Sequence, residues 1–311
     1  MVEILKSRIN SYNSVEVTDP CTLSIPQIGE SSQHGPISVR NFEERLWYSL
    51  SKWRKDGRKG VFLEISREHC ELLPVAIRAG FEFHHAEGEY VMLCAWLQEP
   101  HENKLPPGPV HFIGVGGFVI RPRDGVTNPQ PGSAQDFEVL VIRERSGPSA
   151  RLKNFWKLPG GLVDQHEDIR DAIIREIKEE CGIDTHFERL CVIQEIHHKT
   201  EAGGASRKGS SDLYCICALT PKNPQQNIVI QEAELSAAKW MPIDEYLSLP
   251  FYSAEDTVFH TLMTTAADVA LGNAPGLKVG SFDLGFSYKG KQTVLAAAKT
   301  SDTIEVVVSN L

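Results

Sequence analysis

The chain has 311 residues, 41% of them apolar, and a formal net charge of −9, so it can bury ordinary cores and has room for two domains. No run approaches the 18 or so uninterrupted apolar residues of a membrane span, and the acidic balance argues against broad nucleic-acid binding, which needs a basic surface to release counterions. Seven cysteines without zinc-type spacing predict reduced thiols and a cytoplasmic home, with a mitochondrial or nuclear pool left open.

Residues 1–38 mix polar and short apolar pieces, end in the loop-like GESSQHGP, and read as a flexible segment. MVEILKSRINSYNS has neither the long apolar core of a leader nor the Arg-rich, acid-free pattern of a transit peptide. From Val39 onward, Phe42, Leu46, Leu50 and Trp53 recur every three to four residues, which predicts an amphipathic helix. A strand over 59–65, a helix over 68–79 closed by Gly80, and strands over 81–85 and 90–97 around Gly88 complete a small α+β module, residues 39–105. His84, His85, Glu87 and Glu89 crowd this hairpin. Neighbouring strand residues point to opposite faces, so the expectation is polar hairpin residues rather than a converging metal site.

After the PPGP linker, residues 110–120 predict the first strand of a second domain, 110–272. Its GVGGFVI lacks the third glycine of a dinucleotide fingerprint and enters a strand, not a helix. Residues 121–135, rich in Pro, Gly, Asn and Asp, predict a loop, and 138–144 a strand whose Arg143 and Arg145 are placed to meet phosphate. Trp156 and Lys157 follow, an aromatic to stack on a base and a lysine to meet phosphate. The competing expectations are core packing for Trp156 and ordinary surface charge for the arginines.

Residues 158–183 read LPGGLVDQHEDIRDAIIREIKEECGI. A tight turn at Pro159, Gly160 and Gly161 leads into a stretch free of Gly and Pro, predicting a helix over 168–181 that stops at Gly182. Glu176, Glu179 and Glu180 lie three and four apart and share one helix face, an arrangement that is unfavourable unless cations screen it. Oxygen ligands of this kind suit Mg²⁺ or Mn²⁺. Ile173, Ile174, Ile177 and Cys181 fall on a neighbouring arc that would press the helix onto a sheet.

Counted from Gly161, the fixed points are Glu167, Arg175, Glu176, an aliphatic Ile177, Glu179, Glu180, Gly182 and Ile183. This spacing, G-x5-E-x7-R-E-U-x-E-E-x-G-U with U aliphatic, resembles the Nudix box at every position. Seven fixed positions would coincide by chance on the order of once in a million such chains, given average residue usage. The resemblance implies an α/β class fold, an α/β/α sandwich around a mixed sheet. It also implies hydrolysis of a nucleoside diphosphate linked to another moiety, with the Gly161 carbonyl, Glu176, Glu179 and Glu180 as the metal shell. It further implies that Arg175 orients the glutamates, that Glu167 supports the same network, and that Glu176 or Glu179 is the base. The WYSLSKW helix, the GVFLEI strand and GFEFHHAEGEYVMLCAWL resemble the pre-Nudix domain of one subfamily. That subfamily holds plant ADP-ribose and NADH pyrophosphatases and an animal protein encoded antisense to a fibroblast growth factor gene. In it the module is similar to part of an acetyltransferase fold, with dimerisation or completion of the pocket as its implied roles.

Beyond the box, strands are expected over 188–195 and 212–219, flanking a rim loop that carries Lys199, Arg207 and Lys208. His197 and His198 at the strand end are acid–base candidates against a solvated role. A strand over 237–241 follows QEAEL, where family members bring a further glutamate to the metal, so Glu234 is named first and Glu232 second. A helix over 253–271 stops at Gly272. The extension 273–311 holds strand-like runs over 281–287 and 303–308. The whole predicts a metal-dependent hydrolase of nucleoside diphosphate derivatives, ADP-ribose or NADH by subfamily, giving AMP and a second phosphorylated product, and allows for a homodimer. The alternatives are a non-catalytic nucleotide sensor and an RNA-decapping enzyme, the latter disfavoured by the missing basic stripe.

Overall fold

The computed structural model describes residues 2–18, 20, 38–100, 103–197, 210–255, 257–283 and 291–297, with side chains as far as 278. The chain divides into two compact units, Met1–Val110 and His111–Leu311.

The first unit contains β1 (Arg8–Ile9), β2 (Val15–Val17), α1 (Val39–Lys55), β3 (Gly60–Ser66), α2 (Leu73–Arg78), β4 (Glu82–Ala86) and β5 (Tyr90–Trp96). Its sheet runs β1-β2-β3-β5-β4. Helix α1 starts where the Ser38 hydroxyl accepts the Asn41 N–H at 3.2 Å, a cap that satisfies one of the free donors of the first turn. Lys52, Arg54 and Lys55 in the last turn complement the helix dipole. Phe42, Leu46, Leu50 and Trp53 are buried against Val61, Leu63, Ile65 and Val75.

Two expectations change here. Residues 1–38, read as a flexible segment, supply β1 and β2, and Leu5, Val15 and Val17 are buried in the same core. Val15 pairs in parallel with Val61 on β3, so this order comes from a distant strand rather than from a two- or three-residue alternation too short to read. The helix expected over 68–79 divides into a 3-10 turn, Arg67–Leu72, and α2, with non-helical backbone at His69 and Pro74 in the first turn of α2. Pro74 has no N–H to give, which the first turn of a helix does not need, so α2 starts there, and Leu73 before it is itself helical at φ −53° and ψ −47°.

The second unit contains β6 (His111–Pro122), β7 (Phe137–Glu144), α3 (Ile169–Cys181), β8 (Thr185–His197), β9 (Ser211–Pro221), β10 (Leu235–Pro242), α4 (Ile243–Leu247), α5 (Val258–Ala270), β11 (Leu277–Asp283) and β12 (Lys291–Ala297). The mixed sheet runs β10-β7-β6-β9-β8-β11-β12, with β6 and β9 parallel. Ile173, Ile177 and Cys181 of α3 pack with Val115, Leu140 and Ile142 on one face. On the other, Tyr246 of α4 and Leu262, Met263 and Ala266 of α5 pack with Phe118, Val139 and Val141. This is the expected α/β/α sandwich. Strand β11 joins the sheet by pairing with β8 at Leu277 and Leu190. The run over 303–308 and the rim loop with His198, Lys199, Arg207 and Lys208 lie outside the described residues.

The glycines of β6 have packing work. A Cβ on Gly117 would fall 2.7 Å from Ile177 Cδ1 and 3.3 Å from Ile173 Cδ1, while Gly116 and Gly114 lie against the Tyr214 ring. Bare backbone on one face lets α3 close onto the strand, and on the other it makes room for an aromatic ring. Gly117→Ala is therefore expected to destabilise the second unit by about 1–3 kcal/mol through overpacking. Thermal or urea unfolding followed on Gly117→Ala, Ile177→Val and the double variant checks this. Trimming Ile177 should recover part of the loss, and simple additivity of the two losses would refute the contact.

Candidate active site

Strands β6 and β7 pair only at Ile120–Pro122; beyond that they part, and residues 157–162 fill the gap. Lys157 exchanges backbone hydrogen bonds with Ile142 of β7, donating at 3.0 Å and accepting at 2.8 Å. On the other side, Gly117 donates to the Pro159 carbonyl and Val115 to the Gly161 carbonyl, both at 2.8 Å. Position 160 needs glycine: its φ is +148°, and a Cβ would collide with the Val115 carbonyl. A Cβ on Gly161 would come within 2.5 Å of the Glu176 carboxyl carbon. The missing side chain is what lets the loop backbone and the helix carboxylate face each other.

Helix α3 leaves this loop behind Asp168 and ends at Gly182, left-handed at φ 70°, whose N–H reaches the Lys178 carbonyl at 3.0 Å. Its apolar arc is buried in the sheet, which puts Glu176, Glu179 and Glu180 at the rim. Arg175 organises them. Its Nε and one terminal nitrogen fork onto the two oxygens of Glu167, each at 2.8 Å. The same terminal nitrogen also donates to the Leu162 carbonyl at 3.1 Å, and the other donates to Glu176 at 2.8 Å and Glu179 at 3.1 Å. Charge-assisted and bidentate bonds of this kind are both stronger and more directional than neutral ones. The Arg175 fork holds Glu167 below the usual carboxylate range.

Glu180 points the other way, accepting the Gly160 N–H at 2.8 Å. Burial pushes its carboxyl up to about 7, helped by the charges of Glu176 and Glu234 and opposed by that N–H and by Lys157. Burial also raises Glu176. Glu234 is thus brought to the cluster from the turn before β10, where its carbonyl accepts the Arg145 N–H at 2.7 Å. Of the two candidates before β10, Glu234 rather than Glu232 is the one whose charge acts on Glu176 and Glu180.

The donors here are oxygens, which suit Mg²⁺ or Mn²⁺. Glu180 tests the fit: a carboxyl this buried ionises readily at neutral pH only beside positive charge, and a divalent cation supplies it. Among the described residues no three acidic, imidazole or thiol side chains already converge on one point, because Arg175 draws Glu176 and Glu179 while Gly160 holds Glu180. A cation would take over bonds that these groups now hold.

The four expected substrate contacts do not all come together, although Arg143 and Trp156 meet. Lys157 lies on the α3 face, ion-paired with Glu144 and acting on Glu180 through its charge. Trp156 packs against the core on the α4 and α5 face. There Arg143 Cζ lies 5.6 Å and Lys239 Nζ 4.9 Å from its ring centroid. Successive residues of a strand face opposite sides, which divides Trp156 from Lys157. Arg145 is turned toward the Leu235 carbonyl, 3.3 Å away. Sequence reasoning passed over Glu144 and Lys239. Glu144 ends a predicted strand, yet nothing in the spacing pairs it with a lysine 13 positions on; Lys239 meets Trp156 only through sheet order.

The description of the Nudix hydrolase domain matches residues 27–97, and that of the NUDIX domain matches residues 124–262. The chain is 37% identical over 256 residues to Nudix hydrolase 8 of Arabidopsis thaliana, covering 80% of this chain and 63% of that protein. It is 35% identical over 250 residues to Nudix hydrolase 7 of the same plant, covering 80% and 76%. To Nucleoside diphosphate-linked moiety X motif 6 of Homo sapiens it is 33% identical over 230 residues, covering 70% and 65%. The matched region thus spans just under two thirds of the first and third of these relatives.

Because Arg175 acts by positioning, Arg175→Lys keeps the charge and loses the fork. Mn²⁺ affinity, measured by electron paramagnetic resonance of the free ion, is expected to fall about 10- to 100-fold, as for other groups that orient metal ligands. Glu167→Gln should lose a similar amount and the double variant little more. Additive losses would show that the two side chains act separately.

Proposed function

Since the chain belongs to the Nudix hydrolase family, we propose that its carboxylate site hydrolyses the pyrophosphate bond of a nucleoside diphosphate derivative. ADP-ribose and NADH are the proposed substrates, and AMP and a second phosphorylated compound the products. The observation that carries this reading is the guanidinium of Arg175 holding Glu167, Glu176 and Glu179 at once, at 2.8 to 3.1 Å. A site that only bound a nucleotide would gain little from gathering like charges around one arginine.

Mg²⁺ or Mn²⁺ would be held by Glu176, Glu179, Glu180, Glu234 and the Gly161 carbonyl. Such a cation neutralises a diphosphate and lowers the pKa of bound water, effects worth several kcal/mol. The rest falls to the chain itself. Arg175 holds Glu176 and Glu179 beside the loop and would release an oxygen of each to an arriving cation. The Gly161 carbonyl accepts one backbone N–H and keeps a second lone pair for a cation. Glu179, with its side chain 54% exposed, and Glu176, at 16%, are the two candidates to take the proton of the attacking water. Lys157, now paired with Glu144, would exchange that carboxylate for the phosphate of an arriving substrate.

The substrate proposal rests on the subfamily resemblance, and the name of the human relative, a nucleoside diphosphate-linked moiety X motif protein, fits its chemical class. The test is a panel of ADP-ribose, NADH, CoA, ADP-glucose, diadenosine polyphosphates and capped RNA with Mg²⁺ or Mn²⁺, run on the full chain and on Glu179→Gln. Expected are cleavage that requires metal, a loss of at least 100-fold in kcat in the variant, and the highest kcat/KM for ADP-ribose or NADH. Tight nucleotide binding with no turnover of any compound would replace this reading with a sensor.

A further inference from the structure

The first unit carries a feature that the carboxylate site does not use. The open face of its sheet forms a groove of about 1370 Å³ with Phe62, Met92 and Trp96 on its floor and His84 and His85 at one side. Strict alternation would turn adjacent histidines to opposite faces. Instead β4 bulges: Phe83 pairs with Leu93 and His85 with Met92, so one residue is left over and both rings reach the groove.

The two Nδ1 atoms lie 2.7 Å apart. His84 Nε2 meets the Pro106 carbonyl at 3.1 Å, which can only accept, so that nitrogen carries the proton and His84 Nδ1 presents a lone pair. It follows that His85 donates from Nδ1 into that lone pair, and its Nε2, 3.4 Å from the Tyr90 hydroxyl, is the acceptor. Edge contacts hold the rings, Phe62 to His84 at 5.5 Å and His85 to Tyr90 at 5.9 Å between centroids.

We propose that His84 and His85 form a second cation site, binding Cu²⁺ or Ni²⁺ through their paired Nδ1 atoms. A carbonyl on the far nitrogen of a histidine is the usual support for a metal-ligating imidazole, because it fixes tautomer and ring orientation. Separation decides the class of ion. Two nitrogens about 2.0 Å from a metal are about 3.3 Å apart in a tetrahedron but about 2.8 Å apart at cis positions of a tetragonal ion. The observed spacing is that of the latter; the rings now meet head to head, centroids 4.9 Å apart, and turn on binding so that both lone pairs face the ion. Nitrogen donors also separate this site from the oxygen cluster of the second unit, which suits Mg²⁺ or Mn²⁺. Among the described residues no third acidic, imidazole or thiol group joins the pair, so water from the groove completes the coordination. On binding, the proton between the rings moves through solvent to His85 Nε2, where it donates to the Tyr90 hydroxyl. The pair thus keeps its protons, one on each Nε2, and none is released.

The experiment titrates the full chain with Cu²⁺ in a non-chelating buffer containing excess Mg²⁺ to occupy the carboxylates. Expected is a first equivalent whose electron paramagnetic resonance spectrum shows coupling to two nitrogens. His84→Gln and His85→Gln should each weaken it at least tenfold, and the double variant should lose the two-nitrogen signature with an unchanged thermal midpoint. Glu179→Gln should leave the signal intact. A double variant that keeps both the spectrum and the affinity, or a first equivalent with oxygen coordination alone, would overturn the proposal and leave a shared proton as the only occupant of the pair.

Discussion

Two neighbouring strands that part, and a glycine-rich loop that heals the gap, are the constraint on which the second unit depends. Residues 157–162 bond to β7 through Ile142 and to β6 through Val115 and Gly117, so the loop is held as firmly as a strand while its backbone stays bare at Gly160 and Gly161. Rigid placement of a loop is what a site needs, because groups held by a sheet reach their geometry without further ordering. Everything else is hung from it: the direction in which α3 leaves, the carbonyl beside Glu176, and the N–H that receives Glu180.

Charge then sets how the site rests. Glu167, Glu176 and Glu179 share one guanidinium, and Glu180 has only a backbone N–H and the field of Lys157. The arrangement is short of positive charge, which is the electrostatic state of a site built to receive a cation. Lys157 and Glu144 form a neighbouring reserve, an ion pair whose positive partner is within reach of the same cluster.

What was legible in the sequence was what local chemistry dictates. The box spacing announced Glu167, Arg175 and the three helix glutamates; the expected stop at Gly182 is a left-handed residue; and the apolar period of α1 buries the residues it picks out. What was hidden depends on non-local pairing. Strand β2 is three residues long and exists because β3 lies beside it. The bulge at His84 breaks an alternation rule that assumes regular pleating. Trp156 and Lys157 are neighbours in sequence and separated by the sheet, a division that no spacing motif records. The glycines in GVGGFVI, set aside as a poor nucleotide fingerprint, prove to be spacers for Ile177 and Tyr214.

The parallel pairing of β6 with β9 has a kinetic side. Val115 meets Cys215, a hundred positions along the chain, and everything between them, box included, must be threaded before that pair can zip. Helix α3 has the local signals to form early, whereas the loop that orients it is seated only when β6 has found its neighbours. Non-local closure of this kind is slow because chain entropy is lost before contacts repay it. Order of assembly therefore separates a helix that is present from a site that is assembled: the contacts of Gly160 and Gly161 with α3 are gained last, with the closing of the sheet rather than the winding of the helix.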